Sequence, residues 1–442
     1  MASGELDRDT IAAIATPPGR GGIGVVRVSG SRVPEIALTL LGRLPEDRRA
    51  TMCTFRDLRG QRLDEGVALY FAAPRSYTGE AVLELQGHGG PVVMQAVLGT
   101  CLDAGARLAR PGEFTERAFI AGRIDLAQAE AVADLIDAAS SEAARCALRS
   151  LTGEFSAAIG GIAMQLVELR ALTEVMLDFP EEQVDSLERD DAVVRLEAVR
   201  AALAELLAKS RQGSLLRTGI HVVLAGRPNV GKSSLLNRLA GDERAIVTAI
   251  PGTTRDVLRE PIQIEGVPLV LVDTAGLHAA GDVVERIGIE RARQELERAD
   301  VVLAVSEAGD PQLLERLSTG AKRIDVYNKA DLLPAFRPPA GAHRAIAVSA
   351  KTGEGLDALR KLILEAAGWV SSGESTYLAR ERHLRAFESA NGHLEAAAAE
   401  LGRWELFAEE LRLAHLDLGA ITGEFTADDL LGEIFGRFCI GK

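Results

Sequence analysis

His221-Val222-Val223-Leu224-Ala225, followed at once by Gly226-Arg227-Pro228-Asn229-Val230-Gly231-Lys232-Ser233-Ser234, decides how this chain is read. The five apolar residues predict a strand, and the glycine-flanked segment leads into a helical pattern, which is the strand-loop-helix setting of a P-loop. Glycines let successive backbone N–H groups turn toward phosphate oxygens, a lysine at position 232 reaches the β and γ oxygens, and the Ser233 hydroxyl suits Mg²⁺. Asn229, Val230, Gly231, Lys232, Ser233 and Ser234 are therefore expected to bind a nucleotide.

Further elements follow in the order a guanine-nucleotide site needs. The run Thr248-Ala249-Ile250-Pro251-Gly252-Thr253-Thr254 offers a switch threonine, Thr254, as a second Mg²⁺ ligand. Asp273-Thr274-Ala275-Gly276 comes after an expected strand at 269–272 and forms the second switch. Asn328-Lys329-Ala330-Asp331 supplies a carboxylate that can accept both N1–H and the exocyclic amine of guanine, donors adenine lacks on that edge. Ser349-Ala350-Lys351 completes the base pocket through a backbone N–H. A glutamine that would orient the attacking water in a small signalling GTPase is absent, because the position after Gly276 is Leu277. Glu285 is close enough in sequence to take that task, although a solvated helix-face glutamate reads the same way. Asn229 is an amide that could hold a monovalent cation, which would stabilise charge as an arginine finger does.

The 442 residues suffice for about three domains. A formal net charge of −14 makes the chain a poor generic polyphosphate binder, so any nucleic-acid role calls for a local basic patch or a partner that supplies positive surface. The polar, acidic start and the lack of an apolar run approaching about 20 residues lead us to expect no signal peptide, no membrane span and a cytoplasmic location. Cys53, Cys101, Cys146 and Cys439 show neither close pairing nor metal-ligand spacing, as expected of reduced thiols.

Periodicity predicts the organisation. Residues 1–123 mix strand-like runs with a helix over 91–103 and read as an α/β domain. Residues 124–215 are helical, with Ile162, Leu166, Leu169, Leu172 and Met176, and then Leu196, Val199, Leu203 and Leu206, at spacings of three and four. A P-loop domain at 216–370 interrupts the helices, which resume over 371–442 after the polar run 371–375. The expected fold is a multidomain α+β and α/β protein: an N-terminal α/β domain, a helical bundle, and an inserted P-loop GTPase domain with a Ras-like sheet.

Two places outside the P-loop domain carry chemistry. His88, within Leu83-Glu84-Leu85-Gln86-Gly87-His88-Gly89-Gly90, could be catalytic, but a turn histidine bonded to backbone is the simpler expectation. Cys439, in the terminal Phe438-Cys439-Ile440-Gly441-Lys442, could be a small buried hydrophobe. A thiol near a chain end can also be delivered to a site built by another domain, with Lys442 favouring the thiolate, and the sequence leaves nucleophile, general acid and structural contact open.

These segments, with Ala15-Thr16-Pro17-Pro18-Gly19-Arg20-Gly21-Gly22, Arg110-Pro111-Gly112-Glu113-Phe114-Thr115, Leu126-Ala127-Gln128-Ala129-Glu130-Ala131 and Ile421-Thr422-Gly423-Glu424-Phe425-Thr426, resemble the bacterial MnmE (TrmE) family of tRNA modification GTPases. The resemblance runs from about residue 9 to the end. It implies a potassium-stimulated GTPase that works as a homodimer with MnmG, an FAD- and NADH-using partner. Together they would add an aminomethyl-type or carboxymethylaminomethyl group to carbon 5 of the wobble uridine in tRNA. It also implies GTP, Mg²⁺, K⁺ and a tetrahydrofolate derivative, in the 5-formyl or 5,10-methylene form, as cofactors. Carried over by motif, the K⁺ ligands would be Asn229, Thr248, Ile250 and Thr253, and the water-orienting residue Glu285. Domain 1–123 would bind folate and dimerise, with Arg27, Glu84, Arg123 and Lys442 as folate contacts; from the residues alone, Arg27 and Glu84 read equally as structural. Arginine stands at 123 where the family's better-known members lead us to expect lysine, a flatter and bulkier cation.

Two other classes fit part of the pattern. A ribosome-assembly or signalling GTPase would carry a basic RNA-binding appendage and no folate chemistry. A folate-dependent one-carbon transferase with a regulatory nucleotide domain would turn over without MnmG.

Overall fold

The computed structural model describes residues 9–178, 186–241, 259–273, 293–310, 320–339, 344–370, 376–424, 428–436 and 438–441. They group into two compact units, one of residues up to Ala133 together with Gly419 onward, the other Asp134–Leu418.

Unit 1 is built on a six-stranded sheet in the order β3-β4-β5-β2-β1-β6. Its strands are β1 Ile11–Ile14, β2 Gly21–Ser29, β3 Thr51–Arg56, β4 Arg62–Phe71, β5 Val82–Gly89 and β6 Arg107–Leu108. All neighbours are antiparallel except β1 and β6. Strand residues alternate between faces, so Val26, Val28, Leu83 and Leu85 point to one side. There they pack with helices α1 (Val33–Leu41) and α2 (Pro91–Asp103) through Ile36, Leu40, Met94 and Val97. The helix expected over 91–103 is present with those bounds.

An ion network centred on buried Glu113 and Arg117 ties the start of unit 1 to helix α3 (Glu113–Ile120). Glu113 accepts from Arg107 Nη2 at 2.7 Å, the Arg110 backbone N–H at 2.8 Å and Arg117 Nη2 at 3.0 Å. Arg117 also reaches Asp9 and Glu80. Burial opposes ionisation of Glu113, but the Arg107, Arg110 and Arg117 donors outweigh it and lower its pKa to about 2. Such a depressed carboxyl stabilises the fold fully above its ordinary pKa of 4.5, and the contribution is lost as pH falls through about 2. Acid should therefore weaken unit 1 between those values. Glu113→Gln should cost about 3 kcal/mol at neutral pH, because Arg117 stays buried with one fewer anion, and should flatten the acid limb of a pH-resolved thermal melt. A variant that melts like wild type at pH 7 would contradict this.

Unit 2 joins long helices to a second six-stranded sheet, order β12-β11-β10-β7-β9-β8. Here β7 is Ile220–Ala225, β8 Arg259–Ile264, β9 Val267–Asp273, β10 Val301–Glu307, β11 Lys322–Asn328 and β12 Ala345–Ala347. All pairs are parallel except β8 with β9. Parallel strands are covered on both faces, and β7 and β10 accordingly read as apolar runs, Ile-His-Val-Val-Leu-Ala and Val-Val-Leu-Ala-Val. This is the expected Ras-like sheet of a P-loop GTPase domain.

Helix α4 spans Leu126–Ile136, and the helical part of unit 2 contains α5 (Ser141–Leu151), α6 (Glu154–Asp178) and α7 (Ser186–Thr218). Ile162, Leu166, Leu169 and Met176 are buried, as are Leu196, Val199, Leu203 and Leu206. Among the described residues one helix, Glu154–Leu177, is long and apolar enough to cross a membrane by length and composition alone. It bears Glu168, Arg170 and Glu174, and its inward face is part of the core of unit 2.

Candidate functional sites

The P-loop leaves β7 and enters helix α8 (Lys232–Gly241). Two of its residues take left-handed backbone, Asn229 at φ 67° and Gly231 at φ 91°. Gly231 also has no room for a side chain, since a Cβ would stand 2.3 Å from Asn328 Nδ2. Asn328 holds the loop against the base-side loop: Nδ2 donates to the Val230 carbonyl at 2.9 Å, and Oδ1 accepts from the Ala350 N–H at 3.0 Å. Its buried amide is thus a strut between the phosphate and base ends of the site.

Lys232 is buried, and its ammonium donates to the carbonyls of Gly226 at 2.7 Å and Arg227 at 2.8 Å. Burial lowers its pKa, and the Asp273 carboxylate opposes that shift. Ser233 Oγ donates to Asp273 Oδ2 at 2.7 Å. A hydroxyl and a buried carboxylate in contact are hard oxygen donors of the kind Mg²⁺ takes. At the base end, Ser349 Oγ donates to Asp331 Oδ1 at 2.6 Å and accepts from the Thr352 N–H at 3.1 Å. Lys329, at φ 61°, pairs with Glu307.

Unit 1 gathers a second group of residues. Arg27 on β2 lies opposite Glu84 on β5, and the two pair at 2.8 Å. The guanidinium sits 6.0 Å from the Tyr77 ring centre and 5.7 Å from that of Phe114, a cation between two aromatic faces. Its Nη1 also donates to the Gly441 carbonyl at 3.4 Å. The tail reaches that point because Phe438 is buried beside Phe435, Ile440 bridges Pro111, and Gly112 N–H donates to the Cys439 carbonyl at 3.3 Å. Gly441, at φ 98°, passes so close to β1 that a Cβ would stand 2.5 Å from the Ile14 carbonyl oxygen. Cys439 itself is exposed, whereas Cys53, Cys101 and Cys146 are buried and free. Burial pushes the Cys101 thiol up to about 12, which makes it inert.

A family model described as the N-terminus of the GTP-binding protein TrmE matches residues 10–123, and one for the MnmE helical domain matches residues 126–439. A curated relative from Azoarcus sp. (strain BH72), named tRNA modification GTPase MnmE, is 60% identical over 98% of this chain and 98% of its own length. One of the same name from Thiobacillus denitrificans is 58% identical with the same coverage.

The chain belongs to the MnmE family of tRNA modification GTPases.

It is accordingly a GTP-binding enzyme that hydrolyses GTP and acts in tRNA modification. The solved G domain of the T. maritima FeoB iron transporter is 31% identical, covering 34% of this chain and 98% of that one, at a TM-score of 0.27, too low to bear on the fold.

Of the expected GTP-site residues of this MnmE-family chain, Asn229, Val230, Gly231, Lys232, Ser233, Ser234, Asp273, Asn328, Lys329, Asp331, Ser349, Ala350 and Lys351 lie among those described. Thr248, Ala249, Ile250, Pro251, Gly252, Thr253, Thr254, Thr274, Ala275, Gly276 and Glu285 lie outside them, as does Lys442. Arg123 is exposed next to Gly79, whose Cβ would stand 3.7 Å from Arg123 Cγ. Tyr77, Phe114 and the Gly441 carbonyl were not legible as neighbours of Arg27; Phe114 stood only inside a family-like segment.

His88 differs from expectation. It lies in β5 rather than on a turn, and its ring bonds a carboxylate rather than backbone, with Nδ1 2.7 Å from Asp64 Oδ1. Its own N–H donates to Asp64 Oδ2 at 2.7 Å. Gly87 permits this, because a Cβ there would stand 2.4 Å from that oxygen.

Proposed function

We propose that the chain is a potassium-stimulated GTPase that, as a homodimer with the flavoprotein MnmG, installs an aminomethyl-type group on carbon 5 of the wobble uridine of tRNA, using a tetrahydrofolate one-carbon unit. The observation that carries the folate part is the tail of unit 1. An exposed thiol, Cys439, is held two residues from the carbonyl bonded to Arg27, beside Glu84, Tyr77 and Phe114. An aromatic-walled site with few polar groups suits a pterin, whose ring edge offers donors to Glu84 and acceptors to Arg27. Arg123 and Lys442 would add cationic contacts for the glutamate end. Folate bound there would supply the one-carbon unit.

In unit 2, Lys232 and the P-loop N–H groups would hold the phosphates, Ser233 and Thr254 would ligate Mg²⁺, and Asp273 would orient the Ser233 hydroxyl. Asn229, Thr248, Ile250 and Thr253 would hold K⁺, which would add positive charge where the transition state gains negative charge. The net charge of −14 argues that MnmG supplies the positive surface for tRNA. Domains at 1–123, 124–215, 216–370 and 371–442 and a cytoplasmic location complete the reading.

The three function classes separate in one experiment: folate binding measured with tRNA modification, with and without MnmG. This reading requires folate binding by the chain alone and modification only with MnmG. Modification without MnmG would favour a stand-alone transferase, and absence of folate binding would favour a switch GTPase.

Two kinetic results should follow. Glu285→Ala should keep GTP affinity and lose roughly 10²-fold in kcat, because only the attacking water loses its orienting group; unchanged turnover would remove Glu285 from the mechanism. Potassium should raise kcat and dimerisation of the nucleotide domains together, while sodium, too small for the same cage, should not. Equal rates in the two salts at matched ionic strength would exclude the cation.

A further inference from the structure

Helix α6 is apolar on two opposite sides. At 100° per residue, Phe155, Ile162, Leu166 and Leu169 fall on one face and are buried. Ala157, Gly160, Met164, Val167, Ala171 and Val175 fall on the other face, and all six are exposed. Met164 is 61% exposed, Val167 42% and Val175 53%. A helix bordering solvent ordinarily turns a polar face outward, and a continuous apolar stripe on the outside marks a contact surface.

The glycines give an independent signal. Gly160 and the adjacent Gly161 are mid-helix, where glycine is the poorest residue after proline. A Cβ at either position would meet nothing within 4 Å. Among the described residues nothing needs them small. A backbone left bare on the outward face lets another surface approach closely.

Charge selects the occupant. Residues 154–218, from the start of α6 to the end of α7, carry twelve acidic side chains and seven basic ones, a net charge of −5. Among the described residues, Glu168, Glu174, Asp190 and Glu197 are exposed. A second copy would set five net negative charges against five. tRNA and anionic lipid are repelled for the same reason. A protein with a basic rim and an apolar centre is attracted on both counts.

We propose that the outward stripe of α6 is the docking surface for the basic protein that brings tRNA to this enzyme. This rests on the reading above that MnmG supplies the tRNA-binding surface. The probe is purified MnmG from the same organism, titrated against the full chain by calorimetry. Wild type should bind, more weakly as salt rises, since the rim is electrostatic. The Met164→Gln, Val167→Gln, Val175→Gln triple variant should bind at least ~30-fold more weakly with GTP turnover and folate binding unchanged. Gly160→Ala with Gly161→Ala should raise Tm, because alanine favours the helix, yet weaken MnmG binding ~10-fold by crowding the approach. A merely structural stripe would not separate stability from binding in that way.

Equal binding of MnmG by wild type and the triple variant overturns the surface while leaving the MnmG reading in place. Absence of binding by wild type overturns both. Loss of self-association, or of binding to phosphatidylglycerol vesicles, in the triple variant with MnmG affinity unchanged would assign the stripe to a second copy or a membrane and overturn the proposal.

Discussion

Cys439→Ser is expected to abolish tRNA modification while leaving GTP hydrolysis nearly intact. Oxygen replaces sulfur almost isosterically but is far less acidic and nucleophilic, so the change tests chemistry more than packing. The structure favours a clean result. Cys439 is exposed, and its segment is anchored by other groups, namely buried Phe438, the bridge of Ile440 to Pro111 and the Gly441 carbonyl on Arg27. None of these depends on the sulfur. The described nucleotide-site residues, from Asn229 to Lys351, belong wholly to the other unit. Deletion of Lys442 alone should chiefly weaken folate binding. Normal modification by the serine variant would make Cys439 a structural residue.

Asp331→Asn should lower GTP affinity by ~10³-fold and transfer preference to xanthosine triphosphate. The aspartate carboxylate accepts from N1–H and the exocyclic amine of guanine, and a site built to pair such donors rejects a mismatched edge strongly. Asparagine presents one acceptor and one donor, which match the N1–H and C2 carbonyl of xanthine. Its Oδ1 can still accept from Ser349 Oγ, the bond Asp331 makes at 2.6 Å, so the loop should keep its shape. Titration of both nucleotides against wild type and variant measures the exchange. Equal loss of both would mean that the loop had collapsed, and unchanged GTP affinity would remove Asp331 from base recognition.

The nucleotide site was largely legible in the sequence because its parts are local. Phosphate is bound by consecutive backbone groups, so the glycines, Lys232 and Ser233 must stand at fixed offsets after a strand, and β7 and α8 lie on either side of them. The strut role of Asn328 was not legible, since it depends on the closeness of Gly231 in space. The Arg27 site was harder still. Its members, Arg27, Tyr77, Glu84, Phe114 and Gly441, come from separate elements brought together by sheet register and a returning tail, and no spacing along the chain encodes that. Only the resemblance singled out Arg27 and Glu84.

His88 shows how a glycine-rich run misleads. The run at 87–90 looked like a turn, where glycine supplies unusual backbone angles. Gly87 and Gly89 are instead strand residues with no space for a side chain, one against Asp64 and the other against the backbone of Gly21 and Ile23. In α6 the inward period of three and four is legible in the sequence, but the same period repeated on the opposite face carries its own message only once burial is known.

The central claim is that one chain joins a GTPase site in unit 2 to folate-side chemistry in unit 1 for the modification of tRNA. Its most direct test is mass spectrometry of tRNA nucleosides from cells lacking their own MnmE-family gene and carrying this one, either wild type or with Cys439→Ser or Lys232→Ala. The account predicts modified wobble uridine with wild type and none with either variant, while purified Cys439→Ser still hydrolyses GTP and Lys232→Ala does not. Unmodified uridine with wild type, or full modification with both variants, would contradict it.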